Sequence, residues 1–365
     1  MQFVCTRSDL NEAVSAVQHA IGKVQNTIQD CILIECRDNR VVLRATDSTL
    51  SIRTELDAIV NNDGRAAVPA RLLGEIVRRL PDADVTVTTS GQSALYLQCL
   101  SAKVDLRMQN ADEFPVPPQV EETAPVSLPQ AQLRRMIEQV VFAVAVNEDK
   151  PILTGVLFQL EKDRLTLVAL DGFRMAVRSD TILSDMEGSF VIPSRALREA
   201  VRAMQDTEEE MSIRFDASRA CFSVGTTEIT TQLLEGRYVR YDSLFPKSFA
   251  IRVRADRLML LEALQRASVI ASGEENNVVM FDIHDNDLSL EAASQAGQLS
   301  ESLPAITQGD DLRIALNGRF VMDVLKAIED EEVEMVFNTS TSPCAFERHG
   351  IQSYGYLILP IQVNR

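Results

Sequence analysis

The chain of 365 residues carries 36 Lys and Arg against 53 Asp and Glu, a formal net charge of −17, with 45% hydrophobic and 24% charged residues. That balance is ordinary for a globular protein with buried cores and excludes a disordered chain, and at roughly 100–200 residues per domain the length makes room for two to four domains. The opening MQFVCTRSDL has no basic leader ahead of an apolar stretch, and the longest purely apolar run, Val140 to Val146, is seven residues, short of the roughly 18 a membrane span needs; a soluble, cytoplasmic protein with no membrane partner is expected.

In chain order, a short strand over 1–6 leads into a helix over 7–21, where Leu10, Val14, Val17 and Ile21 recur at helical spacing and form one apolar face. Alternating segments DCILIEC, NRVVLRAT and TLSIRTEL predict three strands, the first two joined by a turn at Asp38-Asn39. A second helix is predicted over 69–80, then strands at DVTVTTS, SALYLQC and KVDLRMQ. A Pro- and Glu-rich stretch at 115–128 reads as a linker. Further helices are predicted at about 129–146, 193–205, 254–272 and 317–328, with a second linker near 246–250.

This order contains a long internal repeat. AAVPARLLGEIVRRLPDA (66–83), FVIPSRALREAVRAMQDT (190–207) and IALNGRFVMDVLKAIEDE (314–331) each run from an apolar strand end through a turn into an amphipathic helix, and Arg71, Arg195 and Arg319 stand 124 residues apart. RVVLRATDSTLSI, DRLTLVALDGFRMAV and NDLSLEAASQAGQLS give the same period through Ala45, Ala169 and Ala293, followed by Asp47, Asp171 and Gln295. The period is far longer than that of a solenoid and marks triplication of a whole α+β domain: two helices plus antiparallel sheets. The expected bounds are 1–120, 125–246 and 247–365.

The six predicted helices hold fourteen basic and eight acidic residues, a balance of +6, so the rest of the chain carries −23. Helices gathered on one surface would attract phosphates within a Debye length of about 8 Å, while an acidic exterior repels them. Arg and Lys are also good helix formers on solvated faces and need no ligand to be there; it is the triplication that favours a shared surface. With five Tyr and no Trp, a stacking platform for single strands is unsupported, and contacts to the duplex backbone, independent of base sequence, are expected.

Catalytic chemistry is missing. His19, His284 and His349 lie in different repeats without His or Cys neighbours at ligand spacing, so no metal site and no cofactor is expected. Gly22-Lys23 lacks the remainder of a phosphate loop, and no G-x-S-x-G elbow occurs. Asp47 and Asp171 occupy equivalent places in different repeats and read as turn residues. Cys5, Cys31, Cys36, Cys99, Cys221 and Cys344 are dispersed and read as buried thiols.

LVALDGFRMAV (167–177) resembles the Thr-Asp-Gly-x-Arg-Leu-Ala motif of the second domain of bacterial beta sliding clamps, the beta subunit of DNA polymerase III. DEFP (112–115), VIPSRALREAV, LLEGRYVRYDSLFP and the C-terminal YLILPIQ match that family in order and spacing, so the resemblance spans the whole chain. It implies a head-to-tail homodimer forming a six-domain ring around double-stranded DNA. Such a ring has twelve helices lining its hole and tethers the replicative polymerase, and an ATP-dependent clamp loader opens it. It further implies one peptide pocket per chain, between the second and third domains, for the polymerase alpha subunit, the clamp loader delta subunit and other clamp-motif proteins. The matching positions are Leu153, Leu170, Gly172, Phe173, Arg174 and Met175, then Val239, Ser243 and Leu244, then Asn317 and Phe320, and finally Leu357, Leu359, Pro360 and Ile361. Lys23, Arg71 and Arg195 match basic positions of the central hole, with Arg319 their equivalent by repeat spacing. The sequence departs from the family pattern at Val239 (usually Pro), Leu170 (usually Thr) and Gln362 (often basic), in its last residues Val363 to Arg365, and at 27–31, which lacks the Pro151-Ile152-Leu153 pattern of the second repeat. The alternative reading is a clamp-like multidomain scaffold that binds proteins without encircling DNA. An enzyme would need a convergent polar site, for which no candidate residues stand out.

Overall fold

The computed structural model describes residues 1–22, 27–91, 93–115, 120, 124–146, 149–272, 275–348 and 353–362. The first repeat runs β1 (Gln2–Thr6), α1 (Arg7–Val17), β2 (Cys31–Arg37), β3 (Arg40–Thr46), β4 (Leu50–Leu56), β5 (Ile59–Asn62), β6 (Gly64–Pro69), α2 (Ala70–Arg79), β7 (Asp84–Ser90), β8 (Ala94–Cys99) and β9 (Ala102–Arg107). The second runs β10 (Val126–Pro129), α3 (Gln130–Glu138), β11 (Gly155–Glu161), β12 (Arg164–Leu170), β13 (Arg174–Thr181), β14 (Gly188–Pro193), α4 (Ser194–Ala203), β15 (Glu210–Phe215), β16 (Arg219–Val224) and β17 (Thr227–Gln232). The third comprises β18 (Ile251–Asp256), α5 (Arg257–Ala271), β19 (Val278–His284), β20 (Asp287–Ser294), β21 (Gly297–Pro304), β22 (Ile306–Gln308), β23 (Leu312–Asn317), α6 (Gly318–Ala327), β24 (Glu332–Phe337), β25 (Cys344–Arg348) and β26 (Ser353–Ile358).

Local sequence explains the element boundaries. Thr6, Asp256 and Asn317 each accept a backbone N–H of the helix that follows them, satisfying donors the first helical turn leaves open. Asp38 and Asn39 both have positive φ, the conformation a two-residue hairpin demands. Leu10, Val14 and Val17 are buried as the apolar face of α1, which ends in a 3-10 turn at Gln18–Ala20. The expected helix over 129–146 is shorter: α3 stops at Glu138, and only a 3-10 turn forms at Val141–Ala143. The β-branched valines there lose rotamer freedom in a helix, and Val140, at φ −126°, has already left it. Arg254, expected at a helix start, lies on β18. The six observed helices hold thirteen basic and seven acidic residues, still +6. All six cysteines are buried, and burial pushes the thiols of Cys5, Cys31 and Cys36 up to about 12.

The chain divides into two compact units that do not follow the repeat. Unit 1 is Met1–Ala131 with Arg195–Leu233; unit 2 is Gln132–Ser194 with Leu234–Arg365. The sheets are the reason. Unit 1 has a five-stranded sheet, β5-β1-β7-β8-β9, and an eight-stranded sheet, β10-β15-β16-β17-β4-β3-β2-β6, in which β17 of the second repeat pairs antiparallel with β4 of the first. Unit 2 has a nine-stranded sheet, β14-β11-β12-β13-β26-β25-β24-β18-β22, in which β26 of the third repeat pairs with β13 of the second, and a four-stranded sheet, β21-β20-β19-β23. Buried Phe3, Phe215 and Phe222 belong to the first unit, and Phe158, Phe281, Phe337 and Phe346 to the second.

Both junctions are pinned at the same hairpin turn. Asp47 accepts the backbone N–H of Thr49 and Leu50, and Asp171 that of Phe173 and Arg174, so the aspartates are turn residues. In the third repeat, with Gln295 in this place, the turn is two residues tighter, pairing Ser294 with Gly297. Asp47 also pairs with Arg195, whose Nη2 donates to the His19 carbonyl at 2.9 Å. Burial pushes the Asp47 carboxyl up, but hydrogen bonds from Arg195, Thr49 and the backbone N–H of Leu50 and Thr49 more than offset this and hold it below its ordinary 3.8. A carboxylate so depressed stabilises the fold above its unfolded pKa and loses that contribution as pH falls through its folded value. Denaturant titrations of the parent and Asp47→Asn are expected to show a stability gap that is constant above about pH 5 and narrows as pH falls below about 4.

Candidate functional site

Unit 2 gathers most of the sequence-predicted peptide positions around the β13–β26 pair. Leu153, Leu170, Met175 and Leu357 are buried together with Leu157, Val168, Val191, Val336 and Ala345 in one apolar cluster. Met175 faces Leu170 on one side and Leu357 on the other. Beyond the end of β26, the Leu359 N–H donates to the Phe173 carbonyl at 2.9 Å, and the Ile361 N–H to the Ala315 carbonyl of β23 at 2.9 Å. The C-terminal segment is thereby held between the 171–173 turn and the strand leading into α6. Gly172, at φ 95°, makes that turn possible. At the surface Phe173 is 65% and Leu359 45% exposed.

The linker supplies a third wall. Tyr238 donates to the Val168 carbonyl at 3.2 Å and Tyr241 to Gln159 Oε1 at 2.9 Å, while both rings, with Phe245, pack on the apolar cluster. Val239 and Leu244 sit exposed on this tethered stretch, and the Ser243 hydroxyl donates to the Arg240 carbonyl. Asn317 Oδ1 caps α6 by accepting from the N–H groups of Arg319 and Phe320. Pro360 is half-buried. A cavity of about 450 Å³ under the same linker, lined by Val177, Phe245, Phe249, Arg252 and Tyr354 among others, contains none of the predicted positions and opens at the other end of β26.

Arg174 is no free cation. Its Nε donates to Asp171 Oδ2 at 3.0 Å, Nη1 to Asp323 Oδ2 at 2.6 Å and Nη2 to the Phe142 carbonyl at 2.6 Å. Its guanidinium carbon lies 4.2 Å from the Phe320 ring centroid and 5.4 Å from that of Phe142. Sequence reasoning missed Asp323, Phe142, Tyr238 and Tyr241. The recurrence of an acid at Glu75, Glu199 and Asp323, again 124 apart, was the available signal for the first.

The first junction uses the same backbone frame with opposite chemistry. Ser51 pairs with Thr230 where Met175 pairs with Leu357, and the Gln232 N–H donates to the Thr49 carbonyl where Leu359 donates to Phe173. Leu170, Met175, Leu357 and Leu359 thus correspond to Thr46, Ser51, Thr230 and Gln232. These polar groups are engaged locally, Thr46 with the Leu50 carbonyl and Gln232 with the Ser48 carbonyl. Among the described residues, the seam of the second junction is apolar and that of the first is polar.

Of the basic candidates, Arg71, Arg195 and Arg319 occupy the first turn of α2, α4 and α6. Arg71 pairs with Glu75 at 3.3 Å and Arg195 with Asp47, while Arg319 is exposed without an ion pair among the described residues. Lys23 lies outside the described residues. Also among the described residues, no cluster of His, Cys, Asp or Glu could hold a metal, and no helix is long and apolar enough to cross a membrane.

Comparison with known proteins assigns the whole chain. Residues 1–118, 127–239 and 242–362 match the N-terminal, central and C-terminal domains of the DNA polymerase III beta subunit, giving three clamp domains of mixed α and antiparallel β structure. The beta sliding clamp of Synechocystis sp. is 33% identical over 100% of both chains. Among solved structures, the DNA polymerase sliding clamp of Bacillus subtilis superimposes with a TM-score of 0.95 at 28% identity, covering 100% of both chains. The DNA polymerase III beta subunit of Thermotoga maritima gives 0.92 at 30% identity with the same coverage. The chain belongs to the DNA polymerase III beta subunit family, and its function is that of a DNA sliding clamp, a processivity factor in DNA replication and not a catalyst.

Proposed function

We propose that two chains close head to tail into a ring around duplex DNA, with domains at 1–120, 125–246 and 247–365, and that the ring acts in the cytoplasm. The observation that carries this reading is the pairing rule of the two junctions. The third hairpin strand of one repeat pairs with the last strand of the next: β4 with β17, then β13 with β26. Applied along the chain, the rule leaves two strands over, β21 of the third repeat and β9 of the first, and both lie at sheet edges. An open edge is a template for another chain, and a second copy offers the complementary strand at each end. Exposed Val269 lies on α5, which packs against β21, and adds apolar surface beside that edge.

The rule also gives a register. Ile52 pairs with Ile229 and Ala176 with Tyr356. The equivalent positions, traced through the hairpin partners of Ala45, Ala169 and Ala293 and of Leu97, Phe222 and Phe346, are Gln298 and Val104. Paired Cα atoms in antiparallel strands lie about 4.5–5.5 Å apart, within disulfide range. Oxidising a chain with Val104→Cys and Gln298→Cys should give a covalent dimer; monomer alone would overturn the register.

On this reading the basic helices, with Arg71, Arg195, Arg319 and Lys23, face the phosphate backbone without reading bases. The apolar groove takes short peptides from the replicative polymerase alpha subunit, the clamp loader delta subunit and other clamp-motif proteins. Apolar anchors would fill the Met175–Leu357 region and the exposed Phe173, Val239, Leu244 and Leu359, with Phe320, Pro360 and Ile361 closing the far side. Leu359→Ala with Ile361→Ala is expected to abolish peptide binding in an anisotropy titration while the mass in solution stays dimeric; undiminished affinity would remove the groove from consideration.

Encirclement itself is tested by light scattering at micromolar protein, then by retention on circular and linearised plasmid after loading with clamp loader and ATP. A dimer that stays on circles and runs off linear ends is expected. A monomer, or retention indifferent to DNA topology, would favour the scaffold reading.

A further inference from the structure

Asp323 and Phe320 lie three residues apart on α6 and therefore share one face of that helix. Both meet the same guanidinium: the ring stacks on Arg174 and the carboxylate bonds its Nη1. The Arg174 side chain is only 11% exposed, and its Nε and Nη2 are held by Asp171 and the Phe142 carbonyl. Asp171 is itself fixed by the turn. The chain of contacts thus runs from the β12–β13 turn through Arg174 to the helix that carries one wall of the groove. Among the described residues the Asp323 carboxylate has no bonding partner except Arg174.

The first junction shows that this linkage is no general fastening of one repeat to the next. Leu50 stands in the place of Arg174 and Ala196 in the place of Phe320, while Glu199, in the place of Asp323, bonds Arg202 of its own helix at 2.6 Å and comes within 4.0 Å of the His19 imidazole of the first repeat. Among the described residues, a hairpin-strand arginine gripped by an acid and a phenyl ring of the facing helix occurs at the second junction and not at the first. A planar guanidinium takes several acceptors in its plane, here Asp171, Asp323 and the Phe142 carbonyl, with a ring on its face; the point charge of an ammonium has no such fork.

We propose that Asp323 is a positioning residue for peptide binding: acting through Arg174, it fixes the Phe320 ring and so sets the spacing of the groove walls before a peptide arrives. The inference rests on the groove reading above. It assigns Arg174 the same indirect role, as a strut between turn and helix and not a cation offered to the ligand.

The test is a double-mutant cycle on the full-length chain, read by anisotropy of a fluorescein-labelled pentapeptide with neighbouring leucine and phenylalanine anchors, with melting temperature followed in parallel. Asp323→Ala is expected to weaken binding about tenfold in the parent and less than about twofold in an Arg174→Ala background, because interacting pairs are not additive. Arg174→Lys, which keeps the charge, should behave as Arg174→Ala and serves if the alanine variant does not fold. Equal losses in both backgrounds, the signature of a merely structural role, would overturn the proposal, as would unchanged affinity of Asp323→Ala in the parent. Failure of the parent to bind the pentapeptide, or binding unaffected by Leu359→Ala with Ile361→Ala, would overturn the groove reading and this inference with it.

Discussion

Two antiparallel strand pairs, β4 with β17 and β13 with β26, join each repeat to the next by extending a sheet across the boundary. A single repeat cannot complete its own sheets, because an open strand edge leaves a row of backbone donors and acceptors without partners. Its compact units therefore consist of one repeat and part of another. The triplication supplies copies, and edge pairing supplies the order in which they connect. Because the rule is directional, third hairpin strand to last strand, a linear chain always ends with one strand of each kind unused.

The same frame also carries different chemistry at equivalent places. Both junctions keep the Asx turn and the hydrogen bond that follows it, at Asp47 and Gln232 in one and at Asp171 and Leu359 in the other. In the first, Arg195 reaches from α4 to Asp47 and the His19 carbonyl, and threonine, serine and glutamine line the seam. In the second, the aspartate is met from its own strand by Arg174, and leucine and methionine line the seam. Arg319, the repeat equivalent of Arg195, is then left exposed. With the arginine moved from helix to strand, the α6 arginine no longer reaches the turn aspartate.

Much of this was legible in the sequence because the informative residues act locally. Arg71, Arg195 and Arg319 mark a strand–turn–helix unit whose spacing is set by a few residues, so the period survives divergence elsewhere. Asp38-Asn39 and Asp47 are read by turns a few residues long. The valines at 140–146 were misleading, since an apolar run states burial and not helicity. The edge pairing between repeats was hidden, because alternation identifies a strand without naming its partner. Arg174 was singled out by the resemblance, but its engagement depends on Asp323, 149 residues away, and no local pattern records a contact at that distance.

The shared sheets have a consequence for the order of events in synthesis. Thr54 of β4 bonds Thr227 of β17 across 173 residues, and Arg178 of β13 bonds Ser353 of β26 across 175. At about 5–20 residues per second on the ribosome, each of these strands waits roughly 10 to 35 s for its neighbour to be made. Such long sequence separation slows folding in any case. Throughout the wait β4 and β13 are nascent edges, and they carry Arg53 and Glu55, and Arg174, Arg178 and Asp180, the charged side chains by which unfinished strands resist pairing with the wrong chain.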